Sequence, residues 1–449
     1  MTKGAGMWYP VPHNKGNEVS PVLRDETAHK ADGFCDFLQG HQLFCCPGKE
    51  EIGMLTSLGL VLLLGMALGA LAKRLNLPAL VGMLIAGMIL GPYALDLLSD
   101  SLLNISADLR QLALIIILTR AGLSLDVAAL KRVGRPAVLM CFVPACFEIL
   151  GMTLLAPRLL GVSTLDAAIM GAVVGAVSPA VIVPRMIRLS EEGWGMDRGI
   201  PQLILAGASV DDVFVIVMFT AFTGLASGGT GLTAGAVLGI PASILTGVAA
   251  GLLLGWLLAQ WFGRVHMRDS VKVVILLSLA FLLVAAEDAL EGIFPFSGLL
   301  AVMGAGVGLQ KWRTVVAQRL SLKFSKLWVA AEVALFVLVG AAVDLRYALS
   351  AGVMAILAVL GALCFRAVGV LVCVSGAHFS GKEKLFCVLG YLPKATVQAA
   401  IGGVPLAMGL GCGQIVLTVA VIAILVTAPL GALAIDRSYS KLLTQRPPE

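Results

Sequence analysis

Residues 200 to 226 read IPQLILAGASVDDVFVIVMFTAFTGLA, an apolar run of bilayer-spanning length with two adjacent carboxylates, Asp211 and Asp212, near its middle. A carboxylate near the membrane midplane costs at least ~2.5 kcal/mol on insertion scales, so ionisable residues at that depth are functional candidates by default. Adjacent residues on a helix point about 100° apart. The two carboxyls therefore cannot share one partner symmetrically and are free to take different roles.

The surrounding chain is built of the same material. Its 449 residues are 59% hydrophobic and 13% charged, against roughly 25% charged in soluble domains. It reads as an all-α polytopic membrane protein. The net charge of +5 does not indicate a nucleic-acid partner, because Lys and Arg gather in alternate short loops as orientation signals do. Of the nine cysteines, Cys141, Cys146, Cys364, Cys373, Cys387 and Cys412 fall in apolar segments, where a free thiol acts as a small hydrophobe. No disulfide framework, zinc spacing, resident cofactor or nucleotide-binding loop is read. Residues 1–53 form a polar tail, read as disordered or as lying upstream of a true start at Met54; 437–449 form a short polar end.

From Met54 onward about thirteen apolar segments recur at lengths suited to membrane crossing. Their cores are 54–72, 78–95, 109–125, 134–157, 165–187, 200–226, 236–262, 271–288, 294–310, 326–343, 350–374, 384–404 and 412–435. Basic loops carry Lys73 and Arg74, then Lys131, Arg132 and Arg135, then Arg185, Arg188 and Arg198, then Arg264, Arg268 and Lys272. Lys311, Arg313, Arg319, Lys323 and Lys326, and then Lys382 and Lys384, continue the series. Intervening loops hold Asp96, Asp100 and Asp108, or Glu287, Asp288 and Glu291. The positive-inside rule then puts the first helix's start outside and the C-terminal end in the cytoplasm.

Two segments are interrupted. The fifth holds Ser178-Pro179 and Pro184, and the twelfth holds Pro393, Lys394 and Thr396, where proline removes helical hydrogen bonds. Seven spans separate them, so helices 4–6 and 11–13 read as inverted-topology repeats, each with a broken middle helix. Paired breaks of this kind point to a midplane transport site. Ordinary proline kinks are the alternative.

Four further charges lie within spans: Glu148, Glu332, Arg366 and Lys394. Glu148 and Arg366 occupy corresponding helices of the two repeats, as an ion pair across the pseudo-two-fold axis would. Lys394 either neutralises a half-helix dipole or takes part in the site. Glu332 has four readings: lipid headgroups, an interface between two copies, gating of access, or simply a carboxylate near a water-filled cleft. Arg120, near the basic end of its span, is read as snorkelling.

The strings RAGLSLD (120–126), SPAVIVP (178–184), GASVDDVF (207–214) and YLPKATVQAAIGG (391–403) resemble the sodium/proton antiporters, in particular their NHA branch. The resemblance covers Met54 to about Asp436. It implies two crossing discontinuous helices in a core domain (131–226 and 350–436), a dimerisation or scaffold domain (54–130 and 271–345), a linking helix at 236–262, and elevator-like motion of the core in a homodimer. It further implies exchange of protons for Na⁺ or Li⁺ as transported ions, competing at Asp212 with Asp211 assisting. Oxygens near Ser178 and Thr396, together with backbone carbonyls freed at the breaks, are expected to complete the shell. A bacterial inner membrane is the expected location. Electrogenic relatives carry a lysine where this chain has Arg366, and arginine keeps its proton at any physiological pH, so Arg366 is no proton carrier. K⁺/H⁺ exchange on the same fold remains an alternative. An intramembrane aspartyl protease is a remote one, since its two carboxylates come from different helices.

Overall fold

The computed structural model describes residues 53–125, 134–227, 234–290 and 294–445. The expected tail at 1–53 therefore lies, but for Gly53, outside the described residues, as do Asp126, Lys131, Arg132 and Glu291. The described chain is almost wholly helical, as hydrocarbon demands, because a helix satisfies its backbone groups internally.

Short helical turns aside, the helices, in order, are α1 (Met54–Arg74), α2 (Ala79–Leu90), α3 (Ser106–Ser124), α4 (Val143–Leu160), α5 (Thr164–Val174) and α6 (Pro179–Glu191). There follow α7 (Ile200–Ser227), α8 (Ala234–Arg264), α9 (Asp269–Leu290), α10 (Gly298–Trp312), α11 (Thr314–Ala341), α12 (Leu345–Ser375), α13 (Gly381–Gly390), α14 (Thr396–Gly402) and α15 (Gly413–Leu442). Every one of the thirteen apolar segments lands on a helix or a broken pair. Among the described residues, nine helical stretches are by themselves long and apolar enough to cross a membrane. Others fall short individually: α2 has only 12 residues, and the second broken helix is divided at 391–395.

Several helices run on through charges read as loop residues, α11 the furthest. Arg319, Lys323 and Lys326 were assigned to a basic loop, yet α11 begins at Thr314. Ala317, Leu320, Phe324 and Trp328 are buried along this extension, a spacing that places them on one face and leaves the basic residues on the other. Likewise α15 runs to Leu442, into the end read as a tail. There Arg185 and Arg188 of α6 both reach Asp436, at 3.0 and 3.3 Å.

Packing falls into two sets of helices. α1, α2, α3, α8, α9, α10 and α11 pack chiefly on one another, whereas α4, α5, α6, α7, α12, α13, α14 and α15 form the other set, with α14 lying on α3 and α11. In the first set backbones nearly touch. A Cβ at Gly87 would lie 1.9 Å from the Val337 carbonyl oxygen, and one at Gly340 would lie 2.2 Å from that of Leu84. Small residues permit such approach where lipid offers no hydrophobic drive between helices. Gly87→Ala must therefore push α2 from α11, at a cost of roughly 1–3 kcal/mol. Detergent-solubilised Gly87→Ala should lose its monodisperse peak at a lower temperature than the parent; an unchanged melting temperature would contradict this packing.

In the second set, α4 packs along α12. The broken helices open alike. Ser163 caps α5, its Oγ accepting from the Asp166 N–H at 3.1 Å, and Ser380 caps α13, its Oγ accepting from the Glu383 N–H at 3.3 Å. The two N-cap serines have the same backbone angles, φ −66° and ψ 161°. A capping serine with an acid three residues on is a strong helix start, and each copy breaks about ten residues later.

Candidate functional site

The first break follows Val174, and α6 restarts at Pro179, which has no N–H to leave unsatisfied. The second follows Gly390 and restarts at Thr396. The breaks cross in contact. The Ser178 N–H donates to the Pro393 carbonyl at 2.8 Å. Gln398 ties them again: its Nε2 donates to the carbonyls of Ala176 at 2.7 Å and Val174 at 3.3 Å, while its Oε1 accepts from the Ala395 N–H at 2.8 Å.

The repeat persists at the level of single hydrogen bonds. The Val177 N–H donates to Asp211 Oδ2 at 2.8 Å, and the Lys394 N–H donates to Thr427 Oγ1 at 3.0 Å. In each repeat the helix after the break supplies a polar side chain to an orphaned N–H. Asp211 and Thr427 are thus structural counterparts. Only one carries charge, so a symmetric scaffold holds an asymmetric site.

Around the crossing, Arg366 of α12 fans out to four acceptors. Its Nη1 reaches Glu148 Oε2 at 2.8 Å, its Nη2 Asp211 Oδ2 at 2.8 Å and its Nε the Tyr391 carbonyl at 2.8 Å. Nη1 also donates to the Gly175 carbonyl. The guanidinium lies over the Tyr391 ring, 5.3 Å from its centre. Lys394 Nζ binds the same Glu148 oxygen at 2.5 Å. All of these side chains are buried, Arg366, Asp211 and Lys394 completely. The pair expected from the sequence is present, but it is not self-contained: Asp211 and Lys394 complete a network of two carboxylates and two cations. Arginine's five donors in a fixed fork allow this sharing.

Asp212 is left over. Among the described residues it has no salt bridge, and its Oδ1 is buried without a hydrogen-bond donor. Buried oxygens in the same condition are Asp211 Oδ1, Ser178 Oγ, Thr396 Oγ1 and the Tyr391 hydroxyl. By contrast, the carbonyls of Val174, Gly175, Ala176, Tyr391 and Pro393 all accept hydrogen bonds. Freed carbonyls were expected as ion ligands. Each of these five already accepts a hydrogen bond within the protein, because a buried carbonyl without a donor is costly, and each keeps a second lone pair.

Of the residues singled out in the sequence, Asp211, Glu148, Arg366, Lys394, Ser178, Pro179, Pro393 and Thr396 lie at or beside the crossing. Asp212 follows Asp211 there on α7. Glu332 is set apart, half-buried on α11, and the cations acting on it are Lys73 and Arg120. Three contributors went unread: Gln398, Tyr391 and Thr427. Gln398 stands three residues beyond a break, a capping position, and that was the available signal. Among the described residues no group of three or more His, Cys, Asp or Glu side chains converges as a metal site.

Comparison with known proteins agrees with this architecture. The family "Sodium/hydrogen exchanger, transmembrane" matches residues 59–437. Sodium/hydrogen exchanger 9B2 of Xenopus tropicalis is 35% identical over 426 residues, which cover 89% of this chain and 76% of that protein. The human 9B2 is 35% identical over 420 residues with the same coverage. The mouse exchanger 9B1 is 34% identical over 391 residues, 82% of this chain and 66% of that protein. Among solved structures, the sodium proton antiporter MjNhaP1 from Methanocaldococcus jannaschii superimposes with a TM-score of 0.76 at 23% identity, covering 87% of this chain and 98% of that one. These relatives are vertebrate and archaeal, and none marks a bacterial branch. A family match over most of the chain and relatives above 30% identity lead to one assignment: the chain belongs to the sodium/hydrogen exchanger family.

Proposed function

We propose that the protein exchanges protons for Na⁺ or Li⁺ by competition at Asp212. As a family member it is a membrane transporter and not an enzyme. The observation that carries the reading is charge balance. Glu148 and Asp211 are offset by Arg366 and Lys394 within hydrogen-bonding distance, so Asp212 is the carboxylate of this cluster that makes no ion pair. An uncompensated carboxylate removed from water takes up a proton or a cation to avoid standing bare. Hard cations prefer oxygen ligands, and the unsatisfied oxygens of Asp212, Asp211, Ser178 and Thr396 are of that kind.

Neutralisation would then license movement. The set of helices containing both breaks would slide as an elevator against the set containing α2, α3 and α11, crossing the membrane when Asp212 carries a proton or cation. A homodimer formed through the set containing α2, α3 and α11 would hold that scaffold still. Basic loops on one face support a cytoplasmic orientation for that face.

The reading is tested by reconstituting the protein in vesicles with a pH gradient reported by a quenched dye, then titrating NaCl, LiCl and KCl separately. Na⁺ and Li⁺ should dequench at lower concentrations than K⁺. An equal or stronger response to K⁺ would favour the K⁺/H⁺ alternative, and no response to any of the three would overturn cation/proton exchange.

A further inference from the structure

Gly207 lies four residues before Asp211 and therefore on the same face of α7. The space beside it is filled from the second break: a Cβ at Gly207 would lie 1.9 Å from the Tyr391 hydroxyl oxygen, 2.9 Å from Met140 Cβ and 3.2 Å from Tyr391 Cζ. Ordinary contact needs about 3.5 Å. Tyr391 is completely buried, and its hydroxyl has no hydrogen-bond partner among the described residues, so the glycine's notch seats it rather than a hydrogen bond. Elsewhere Tyr391 holds Arg366 twice, through the carbonyl that accepts from Nε at 2.8 Å and through the ring, whose centre is 5.3 Å from the guanidinium carbon. Arg366 in turn reaches Asp211 at 2.8 Å. The contacts close a circuit: Gly207 to Tyr391, Tyr391 to Arg366, Arg366 to Asp211, and one turn of α7 back to Gly207.

We infer that Gly207 is a positioning residue of the ion site: by leaving room for the Tyr391 hydroxyl it keeps the ring and carbonyl of Tyr391 on Arg366, and so keeps Arg366 on Asp211. A Cβ at this position can be accommodated in three ways. The Tyr391 ring swings off the guanidinium, the backbone at Tyr391 withdraws with the carbonyl that Nε uses, or α7 retreats and takes Asp211 with it. Each loosens the contact between Arg366 and Asp211. The inference rests on the reading of Asp212 as the exchanging carboxylate, which a released Asp211 would join. Besides Arg366, the charged and titratable groups near Asp211 are Asp212 on its own helix, Glu148 on α4, Lys394 and Tyr391 at the second break, and the thiols of Cys141, Cys146 and Cys373. Arg366 is the cation that pairs with Asp211 among the described residues, so loosening it frees that carboxylate to take up a proton.

Alanine is the better helix former in isolation, so a defect in Gly207→Ala reports the contact and not the helix. Half-saturating Na⁺ is measured in vesicles over the acidic range for the parent, Gly207→Ala and Gly207→Ala/Tyr391→Phe, with size-exclusion profiles as the check on folding. In the parent it should rise about tenfold per unit fall in pH, one proton for one cation; in Gly207→Ala the rise should approach roughly a hundredfold, because Asp211 takes up a second proton. Adding Tyr391→Phe removes the atom at 1.9 Å, leaves Cζ at 3.2 Å and keeps the ring and carbonyl. It should bring the slope back toward the parent's. A merely structural role would lower the yield of folded protein without changing the slope, so a parental slope in folded Gly207→Ala overturns the inference, as does a double variant that stays steep. If Gly207→Ala yields no folded protein, Tyr391→Leu decides: it leaves Gly207 alone, takes the ring from the guanidinium and must steepen the slope, and a parental slope there, or no folded protein from it either, overturns the inference. If Asp212→Asn abolishes exchange while the Gly207→Ala slope matches the parent's, this inference alone fails; if Asp212→Asn still exchanges, the site reading beneath it fails.

Discussion

Vesicles containing Asp212→Asn should show no Na⁺- or Li⁺-driven proton movement above protein-free vesicles, while the variant purifies as well as the parent. Both halves of that result follow from one arrangement. Asparagine keeps the shape but carries no charge, so it neither releases a proton nor balances a cation. Because Glu148, Asp211, Arg366 and Lys394 already balance one another, removing Asp212's charge breaks no ion pair. It also relieves the buried Oδ1, which has no donor, of its share of the desolvation penalty, so the melting temperature should hold or rise. In the parent, competition predicts that half-saturating Na⁺ rises about tenfold for each unit fall in pH once Asp212 is mostly protonated. Measuring that slope over the acidic range where half-saturation varies with pH tests competition separately from the substitution. Retained exchange in Asp212→Asn would move the site elsewhere.

Asp211→Asn is the instructive contrast. It removes a charge that Arg366 contacts at 2.8 Å and that accepts the Val177 N–H. That variant should lose stability as well as transport. Adjacent letters in the sequence thus have different fates, and the 100° between them on the helix is the reason.

Much of this was legible in the chain. Charges in apolar segments stand out because hydrocarbon makes each one expensive, so Asp211, Asp212, Glu148, Arg366 and Lys394 could be picked by inspection. Proline marks the breaks for the same kind of reason. Neutral polar residues gave no comparable signal. Gln398 and Thr427 resemble ordinary substitutions in an apolar helix until the crossing brings the Ala176 carbonyl and the Lys394 N–H to them. Tyr391 passes for a core aromatic, and nothing in its spacing announces that its carbonyl and ring both serve Arg366. The fate of the freed carbonyls was illegible as well, since their donors lie in the opposite repeat. In α11 the signal existed, in the burial spacing of Ala317, Leu320, Phe324 and Trp328, but counting basic residues as loop markers obscured it.

Arg366→Ala should cost about 3–5 kcal/mol, the penalty for removing one partner from a buried charged cluster. It leaves Asp211 facing only the Val177 N–H, leaves Glu148 with Lys394 alone, and removes the donor from the Gly175 and Tyr391 carbonyls. Most of the expressed protein should therefore aggregate on size exclusion. Arg366→Lys should recover part of the folded yield, because one ammonium restores the charge but its three donors cannot reproduce a fork that serves four acceptors. A folded, fully active Arg366→Ala protein would refute the network. Any fraction that survives is informative in another way. With Arg366 gone, Asp211 joins Asp212 as an uncompensated carboxylate, so the site must bind one more positive charge per cycle. Surviving exchange should then depend more steeply on pH than the parent's. On the proposed reading, the guanidinium, unable to give up a proton, would keep Asp211 from releasing one and so would set how many protons one cation displaces.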